Sequence, residues 1–182
     1  MKPITRTARA PFSGSFAVSH KVSLAVSCAI LLVGGSLGGP ANLAAQTGPQ
    51  RLTLSEAQAI IAAAQRDAAG KNLRLSIAVV DGRGDLIAAT RMQGARPTTM
   101  DTAIGKAMGA AIFGRPSADL AERSDSPLYR NMNEATGGRL RFFQGAVPIL
   151  RDGYTVGAVG ASGASAQDDE DNVKAALAAV GL

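Results

Sequence analysis

The first strong periodic pattern in the chain begins near residue 53, where apolar residues start to recur at intervals of three and four. Thr53-Leu-Ser-Glu56 fits a capping box, because the Thr53 hydroxyl can accept from the Glu56 amide while the carboxylate reaches back. Gly70 stands where a left-handed residue commonly ends a helix. The pattern predicts an amphipathic helix, whose buried stripe is Leu54, Ala57, Ile60, Ile61, Ala64 and Ala68.

Shorter apolar runs have the length and composition of β-strands, at residues 73–80, 86–92, 146–150 and 155–161. The first pair is separated by DGRGD and the second pair by RDGY. Glycine accepts a positive φ without steric cost, so both separating segments can reverse the chain tightly. Such hairpin links predict antiparallel neighbours.

Helical spacing returns at residues 100–113, where Thr99 or Asp101 can cap the start and Gly114 can end the helix. Its predicted buried face is Ala103, Ile104, Ala107, Met108, Ala111 and Ile112. Gly105 and Gly109 are four residues apart and leave a shallow groove, which we interpret as close packing of this helix on a sheet.

The remaining segments complete the order of elements. A short helix is predicted at 116–123, an irregular segment at 124–141 and a last helix at 172–180. The carboxylates of 167–171 favour a helix start, with a metal site as the alternative interpretation. The order predicts an α/β (α+β) fold, in which a single antiparallel sheet is flanked by helices on both faces.

The N-terminal 45 residues have the pattern of a secretory signal. Lys2, Arg6, Arg9 and Lys21 precede the apolar run 22–33, and small residues follow. The run is shorter than the roughly 20 apolar residues that a membrane anchor needs. Lipidation at Cys28 would need a different preceding sequence. We therefore expect a signal peptide at 1–45, a folded domain at 46–182, and export to the periplasm or the medium.

Removal of that segment changes the charge and the available chemistry. Four of the 19 basic residues precede residue 46, which leaves 15 basic against 14 acidic residues. The mature chain therefore lacks the excess of positive charge that would indicate a nucleic-acid-binding protein. The single His and the single Cys, His20 and Cys28, are removed as well. A mature chain without them has no Ser-His-Asp triad, Cys-His pair or His-ligated zinc.

The C-terminal third carries a recognisable motif. Residues 145–163 read GAVPILRDGYTVGAVGASG and are followed by QDDEDNVKAAL, while Ala103, Lys106, Ala107 and Phe113 belong to an earlier Ala-x-x-Lys-Ala segment. Together they resemble the GlcG/HbpS-like family, which includes haem-binding secreted proteins and the C-terminal domain of PduO-type proteins. The resemblance runs from residue 52 to residue 182. Its C-terminal matches are Gly145, Pro148, Val156, Gly157, Ala158, Val159, Gly160, Ser162, Gly163 and Asp169.

The resemblance implies a haem or tetrapyrrole ligand, held by an apolar slot, an axial donor and cations for the propionates. Ala146 departs from the family's second glycine, and no histidine is available as a donor. Tyr129 is the preferred metal ligand, because the adjacent Arg130 favours a phenolate. Tyr154 lies in a predicted turn. Arg91, Arg96, Lys106 and Arg130 are candidate propionate partners, and Met100 and Met108 are weaker donors that we otherwise expect in the core.

Two other functions stay open. The domain is alternatively a non-catalytic module that forms homo-oligomers and contacts a partner in the envelope, or an enzyme that degrades or modifies a cofactor or a small organic acid. The glycines at 157, 160 and 163 make room for a helix, a neighbouring subunit or a flat ligand, and close helix packing is the preferred interpretation. Lys106 lies at the edge of a buried stripe, where its ammonium can meet a carboxylate.

Overall fold

The computed structural model describes residues 50–182, so the predicted signal peptide at 1–45 lies outside the described residues. Within residues 50–182, no helix is both long and apolar enough to cross a membrane.

Four strands form one antiparallel sheet in the order β2-β1-β4-β3. Two hairpins supply the neighbours, and β1 pairs with β4 to join the hairpins at the centre. The strands are β1 (Ser76–Asp81), β2 (Leu86–Arg91), β3 (Ala146–Arg151) and β4 (Tyr154–Ser162). The prediction of a single antiparallel sheet is confirmed.

Within the described residues, five α-helices pack around the sheet. They are α1 (Leu54–Gly70), α2 (Thr99–Phe113), α3 (Ser117–Leu120), α4 (Pro127–Ala135) and α5 (Ala166–Val180), and a 3₁₀ turn at Ala121–Arg123 follows α3. The capping box forms as predicted, with the Glu56 amide donating to the Thr53 hydroxyl and the Glu56 carboxylate accepting from the Thr53 amide at 2.8 Å.

The two faces of the sheet are buried against different helices. On one face, Ile77 and Val79 pack in a core with residues of α1 and α5. On the other face, Val80 and Ala158 pack against α2. Full burial of one such side chain stabilises the fold by about 1.5–3 kcal/mol. Helices on both faces are therefore confirmed, and the alternation along β1 explains why both faces need cover.

The ends of α1 differ from the prediction. Leu54, which was predicted to belong to the buried stripe, is 54% exposed. Gly70 remains helical, and the residue with positive φ is Asn72 at 57°. Asparagine tolerates this conformation because its short polar side chain can bond locally.

The segment predicted to be irregular contains α4, and α5 begins at Ala166, six residues earlier than predicted. Pro127 lies in the first turn of α4, where a proline is favourable because its missing N–H has no partner there anyway. Ser126 caps α4 and Ser165 caps α5 through their hydroxyls. Ser165 allows the acidic residues to lie inside the first turn of α5, where they complement the helix dipole.

The start of α2 also differs. Its N-cap is Thr98, with φ of 66° and no side-chain cap, instead of Thr99 or Asp101. The Thr99 hydroxyl donates to the Arg96 carbonyl at 2.8 Å and lies 2.8 Å from the Ser76 hydroxyl of β1. Thr99 therefore joins the helix to the sheet and does not cap the helix.

Two glycines allow close approaches within the chain. Gly160 packs against α2, where a Cβ would lie 2.6 Å from the Ala103 carbonyl, and this supports the helix-packing interpretation. Gly105 does not pack on the sheet as predicted. It contacts the backbone of Arg139, and the Arg141 amide donates to the Gly105 carbonyl at 3.1 Å. The space that these glycines leave on β4 and α2 is thus occupied by the chain itself.

Candidate functional site

A buried ion pair joins α2 to the start of α5. The Lys106 ammonium lies 2.8 Å from Oδ2 of Asp169, and the two side chains are 2% and 3% exposed. Lys106 also donates to the Ala161 carbonyl at 3.1 Å, while Oδ1 of Asp169 accepts from the Ala164 amide at 3.0 Å. Both charges are paired and hydrogen-bonded, which a burial this complete requires.

Residues 143–145 cover this pair. Gly145 has φ of +129°, and a Cβ there would collide with the Lys106 ammonium, so only glycine leaves the space. The Phe143 ring centroid lies 5.2 Å from Lys106 Nζ, within cation–π range, and the ring is 46% exposed. Beside it, the Gln144 side-chain amide donates to Oε1 of Gln167 at 3.0 Å.

A surface groove of about 410 Å³ lies along α2. Its size falls within the roughly 300–1,000 Å³ of small-molecule sites. Apolar side chains from β2 and α2 form part of its wall, and two guanidinium groups face one carboxylate. We call it the arginine groove, lined by Leu86, Asp101, Ile104, Gly137, Gly138, Arg139 and Arg141.

Backbone contacts hold the two arginines of the groove in place. The Leu140 amide donates to Oδ1 of Asn133 at 2.9 Å, and the Arg141 guanidinium donates to the carbonyls of Gly138 and Leu140 at 2.8 and 2.9 Å. Because the loop is tied to α2 and α4, it presents both cations to one side of the groove.

Met108 lies directly behind the arginine groove. Its side chain is 5% exposed, and Arg139 Nη2 lies 3.3 Å from its sulfur. The Arg139 guanidinium thus lies against a thioether, which is a soft metal donor.

Strand β2 extends the groove wall toward Arg91. The register of β2 with β1 places Leu86 opposite Val80 and Arg91 opposite Ser76. Both opposing residues belong to the face that α2 covers, since Val80 packs in its core and Ser76 contacts Thr99. Leu86 and Arg91 therefore lie on the same face of β2, and both are exposed.

Tyr129 lies in an aromatic cluster, which consists of Phe113, Tyr129 and Phe142. Its ring stacks on Phe113 with centroids 4.3 Å apart and planes at 7°, and meets Phe142 edge-on at 5.3 Å. Tyr129 is 6% exposed, whereas Tyr154, in the β3–β4 hairpin, is 62% exposed. The ring packing anchors α4, and the role of Tyr129 as a metal ligand stays a prediction.

The predicted site residues separate into distinct environments. Lys106 contacts Asp169, so its ammonium is already paired within the chain. Met108 shares an apolar cluster with Phe113 and Phe142, which places it near Tyr129. Arg91 and Arg130 are exposed on β2 and α4.

Arg139 and Arg141 were not predicted as site residues from the sequence. The stretch RLRFF at 139–143 alternates basic with apolar residues, directly after two glycines. Such alternation lets one side of an extended segment carry charge while the other side packs. The residues that pack are Leu140, which is 2% exposed, and Phe142, which is partly buried. This pattern was the available signal.

Comparisons with known proteins agree with this architecture. The family described as "Haem degrading protein HbpS-like" matches residues 52–178. Protein GlcG of Escherichia coli (strain K12) is 36% identical over 113 residues, which cover 61% of this chain and 81% of that protein.

Solved structures show the same fold. HbpS is 29% identical, with a TM-score of 0.65, and the match covers 75% of this chain and 94% of that one. A double mutant of Streptomyces reticuli HbpS is 28% identical, with a TM-score of 0.65, over 86% of this chain and 99% of that one. A PduOC:heme complex, at 24% identity and a TM-score of 0.64, covers 71% and 95% of the two chains and is similar in fold.

Proposed function

The chain belongs to the HbpS-like family, and from this membership we propose that it is an exported haem-binding protein that serves in haem handling or sensing. The description of the family concerns haem, and a protein of the same fold has been solved as a haem complex. The observation in this chain that supports the proposal most is the arginine groove, where two guanidinium groups stand beside apolar side chains.

The residues of the arginine groove fit a tetrapyrrole with carboxylate side chains. Leu86 and Ile104 supply apolar contact for a flat macrocycle. Arg139 and Arg141 supply the planar donors that suit propionate groups, because a guanidinium can bond both oxygens of one carboxylate. Arg91, on the same face of β2 as Leu86, adds a third cation.

The iron needs a donor, and two residues are candidates. Tyr129 remains our proposed ligand, since a phenolate is an anionic hard donor that suits ferric iron. Met108 is the alternative, since its sulfur lies behind Arg139. When bound, haem would supply redox chemistry, whereas the chain supplies the slot, the cations and the donor.

A hemin titration tests this function. We expect a shifted Soret band at saturation. Arg139→Ala and Arg141→Ala should each weaken binding, since a charge-assisted contact contributes about 1.5–3 kcal/mol, or roughly tenfold or more in affinity. Arg66→Ala, an exposed substitution on α1, is the matched control. Equal affinity in all three variants would place the ligand elsewhere.

Haem degradation is the second candidate, because it is the activity in the family's description. Hydrogen peroxide added to the haem complex distinguishes the two. A binder leaves the Soret band to decay at the rate of free hemin, whereas a degrading enzyme accelerates that decay and does so repeatedly as hemin is added.

The proposal of export rests on the sequence of residues 1–45, which the structure does not describe. Mass spectrometry of the protein recovered from the periplasm or the medium should give a chain that begins near Gln46. A folded product that retains Met1 would contradict export by cleavage at this site.

A further inference from the structure

A second groove, of about 360 Å³, lies at the end of the sheet where the β1–β2 hairpin turns. Its apolar side chains belong to, or pack against, the core under α1 and α5, whereas the arginine groove lies along α2. The two grooves share no lining residue. We call this one the hairpin groove, lined by Arg51, Leu52, Asp81, Gly82, Arg83, Ile87, Thr155 and Val156.

The turn that carries Arg83 is held by Asp81. Oδ1 of Asp81 accepts from the Arg83 and Asp85 amides at 2.8 and 3.0 Å. The Asp81 amide donates to the Asp85 carbonyl at 2.8 Å, and the Gly84 amide donates to the Asp81 carbonyl at 2.9 Å. Arg83 therefore extends from a fixed backbone, while its own side chain is 72% exposed and accessible to a ligand.

The backbone of Arg51 is held on both sides as well. The Arg151 guanidinium donates to the carbonyls of Gln50 and Arg51 at 3.0 and 3.4 Å. The next residue, Leu52, is buried, and the capping box of α1 begins at Thr53. The Arg51 side chain itself is exposed. Two guanidinium groups thus line the hairpin groove together with apolar residues.

The charges of the hairpin groove favour a ligand with a single negative charge. Arg51, Arg83 and Asp81 together carry a net charge of +1. Oδ2 of Asp81 lies 3.8 Å from Nε of Arg83, and an exposed ion pair of this kind contributes little to stability. A ligand carboxylate can replace it, because a guanidinium binds a carboxylate through two parallel hydrogen bonds. A second negative charge on the ligand would meet Asp81 without a further cation.

We propose that the hairpin groove binds a small aliphatic monocarboxylate. Its carboxylate lies between the guanidinium groups of Arg51 and Arg83, and its tail contacts Leu52, Ile87 and Val156. Contact with these side chains removes the tail from water, which favours an apolar ligand over a polar one. The groove is at the lower end of the roughly 300–1,000 Å³ of small-molecule sites, so the ligand is small. This binding is independent of haem.

Methyl NMR of the purified protein without hemin tests the site, with 4-methylpentanoate as the probe. Saturable shifts are expected for the methyl groups of Leu52, Ile87 and Val156, and none for those of Leu86 and Ile104 in the arginine groove. 4-Methylpentan-1-ol has the same tail without the charge, and succinate has two charges without the tail. Each should bind roughly tenfold or more weakly, because each loses one of the two kinds of contact.

Arginine variants identify the carboxylate contacts. Arg51→Ala and Arg83→Ala should each weaken binding of 4-methylpentanoate roughly tenfold or more. Both side chains are exposed, so the circular dichroism should stay unchanged. Arg83→Lys should recover only part of the affinity, because an ammonium keeps the charge but not the planar pair of donors.

Arg139→Ala, in the arginine groove, is the matched control and should leave this affinity unchanged. Conversely, Arg83→Ala should leave a hemin titration unchanged. The proposal is overturned if the methyl groups of the hairpin groove show no saturable shift in the millimolar range, or if the alcohol or succinate binds as tightly as the acid. Equal affinity in the parent, Arg51→Ala and Arg83→Ala would overturn it too, and a loss confined to Arg139→Ala would place the acid in the arginine groove.

Discussion

The ammonium of Lys106 lies 2.8 Å from a carboxylate oxygen of Asp169, and the two residues are 63 positions apart in the sequence. The pair ties α2 to the first turn of α5. Because Asp169 also accepts from the Ala164 amide, it orients the residues between β4 and α5 as well. The pair therefore fixes how α2 and α5, from opposite faces, meet at one end of the sheet.

Removal of one partner should be strongly destabilising. Lys106→Met leaves the Asp169 carboxylate buried without its cation, and Asp169→Asn leaves the ammonium with only neutral acceptors. Breaking a buried pair in this way costs about 3–5 kcal/mol. Urea denaturation gives the free energy of unfolding. The double variant should lose much less than the sum of the single losses, because neither charge is then stranded.

An exposed ion pair provides the control for this comparison of single and double variants. Lys71 lies 3.0 Å from Asp67 on α1, and its side chain is 46% exposed. Lys71→Met should change the free energy of unfolding by no more than about 1 kcal/mol, because solvent screens the attraction. Additive effects of Lys106→Met and Asp169→Asn would show that the buried pair does not act as a unit.

The fold was largely predictable from local patterns. Thr53 and Glu56 set the start of α1, and the glycines of the two hairpins set antiparallel neighbours. The order of strands and the partner of Lys106 depend on contacts between distant residues, which no local pattern specifies. Thr99 shows the limit of prediction from local sequence, since its hydroxyl lies within hydrogen-bonding distance of Ser76 in the sheet and does not cap the helix.

The candidate site was less predictable than the fold. Lys106 was expected to meet a carboxylate, and it does, but propionate was a competing partner that the sequence could not rank. Arg139 and Arg141 gain their importance only because Gly105 lets their loop lie against α2. That proximity joins residues about 35 positions apart, so it depends on tertiary packing.

Two glycine substitutions should have opposite effects on stability. Gly160→Ala adds a methyl group 2.6 Å from the Ala103 carbonyl, where α2 cannot move away without disturbing the core. Overpacking of this kind costs about 1–3 kcal/mol. Gly70→Ala lies in a helix with open space around it and should stabilise by about 0.5–1 kcal/mol. Thermal unfolding of both variants checks the signs, and a stable Gly160→Ala would mean that α2 lies farther from β4.

At acidic pH, the free energy of unfolding should depend on the ionisation of Glu56. Hydrogen bonds from the Thr53 amide and hydroxyl, followed by Arg151, hold the pKa of Glu56 below its ordinary 4.5. The folded state therefore favours the ionised carboxylate. This contribution is fully present above the pKa of the unfolded chain and is lost as pH falls through the lower folded pKa.

Glu56→Gln should reveal the same contribution. The neutral side chain keeps the shape of the cap, so the variant should be less stable than the parent near pH 7. The difference should shrink as the pH falls below 4.5. Free energies of unfolding across that range provide the measurement, and a difference that stays constant with pH would assign the loss to packing.

Tyr129 and Tyr154 should differ in their effect on bound ferric haem. With no histidine or cysteine in residues 46–182, a phenolate is the anionic hard donor best suited to ferric iron. Tyr129→Phe keeps the ring that stacks on Phe113 and removes only the oxygen, so the variant should fold and yet change the high-spin spectrum. Tyr154→Phe, at a 62% exposed position, should leave the spectrum alone. If the Tyr129→Phe spectrum is identical to that of the parent and the Met108→Leu spectrum is altered, the iron ligand is the thioether behind Arg139. A low-spin spectrum with two nitrogen ligands would contradict both assignments.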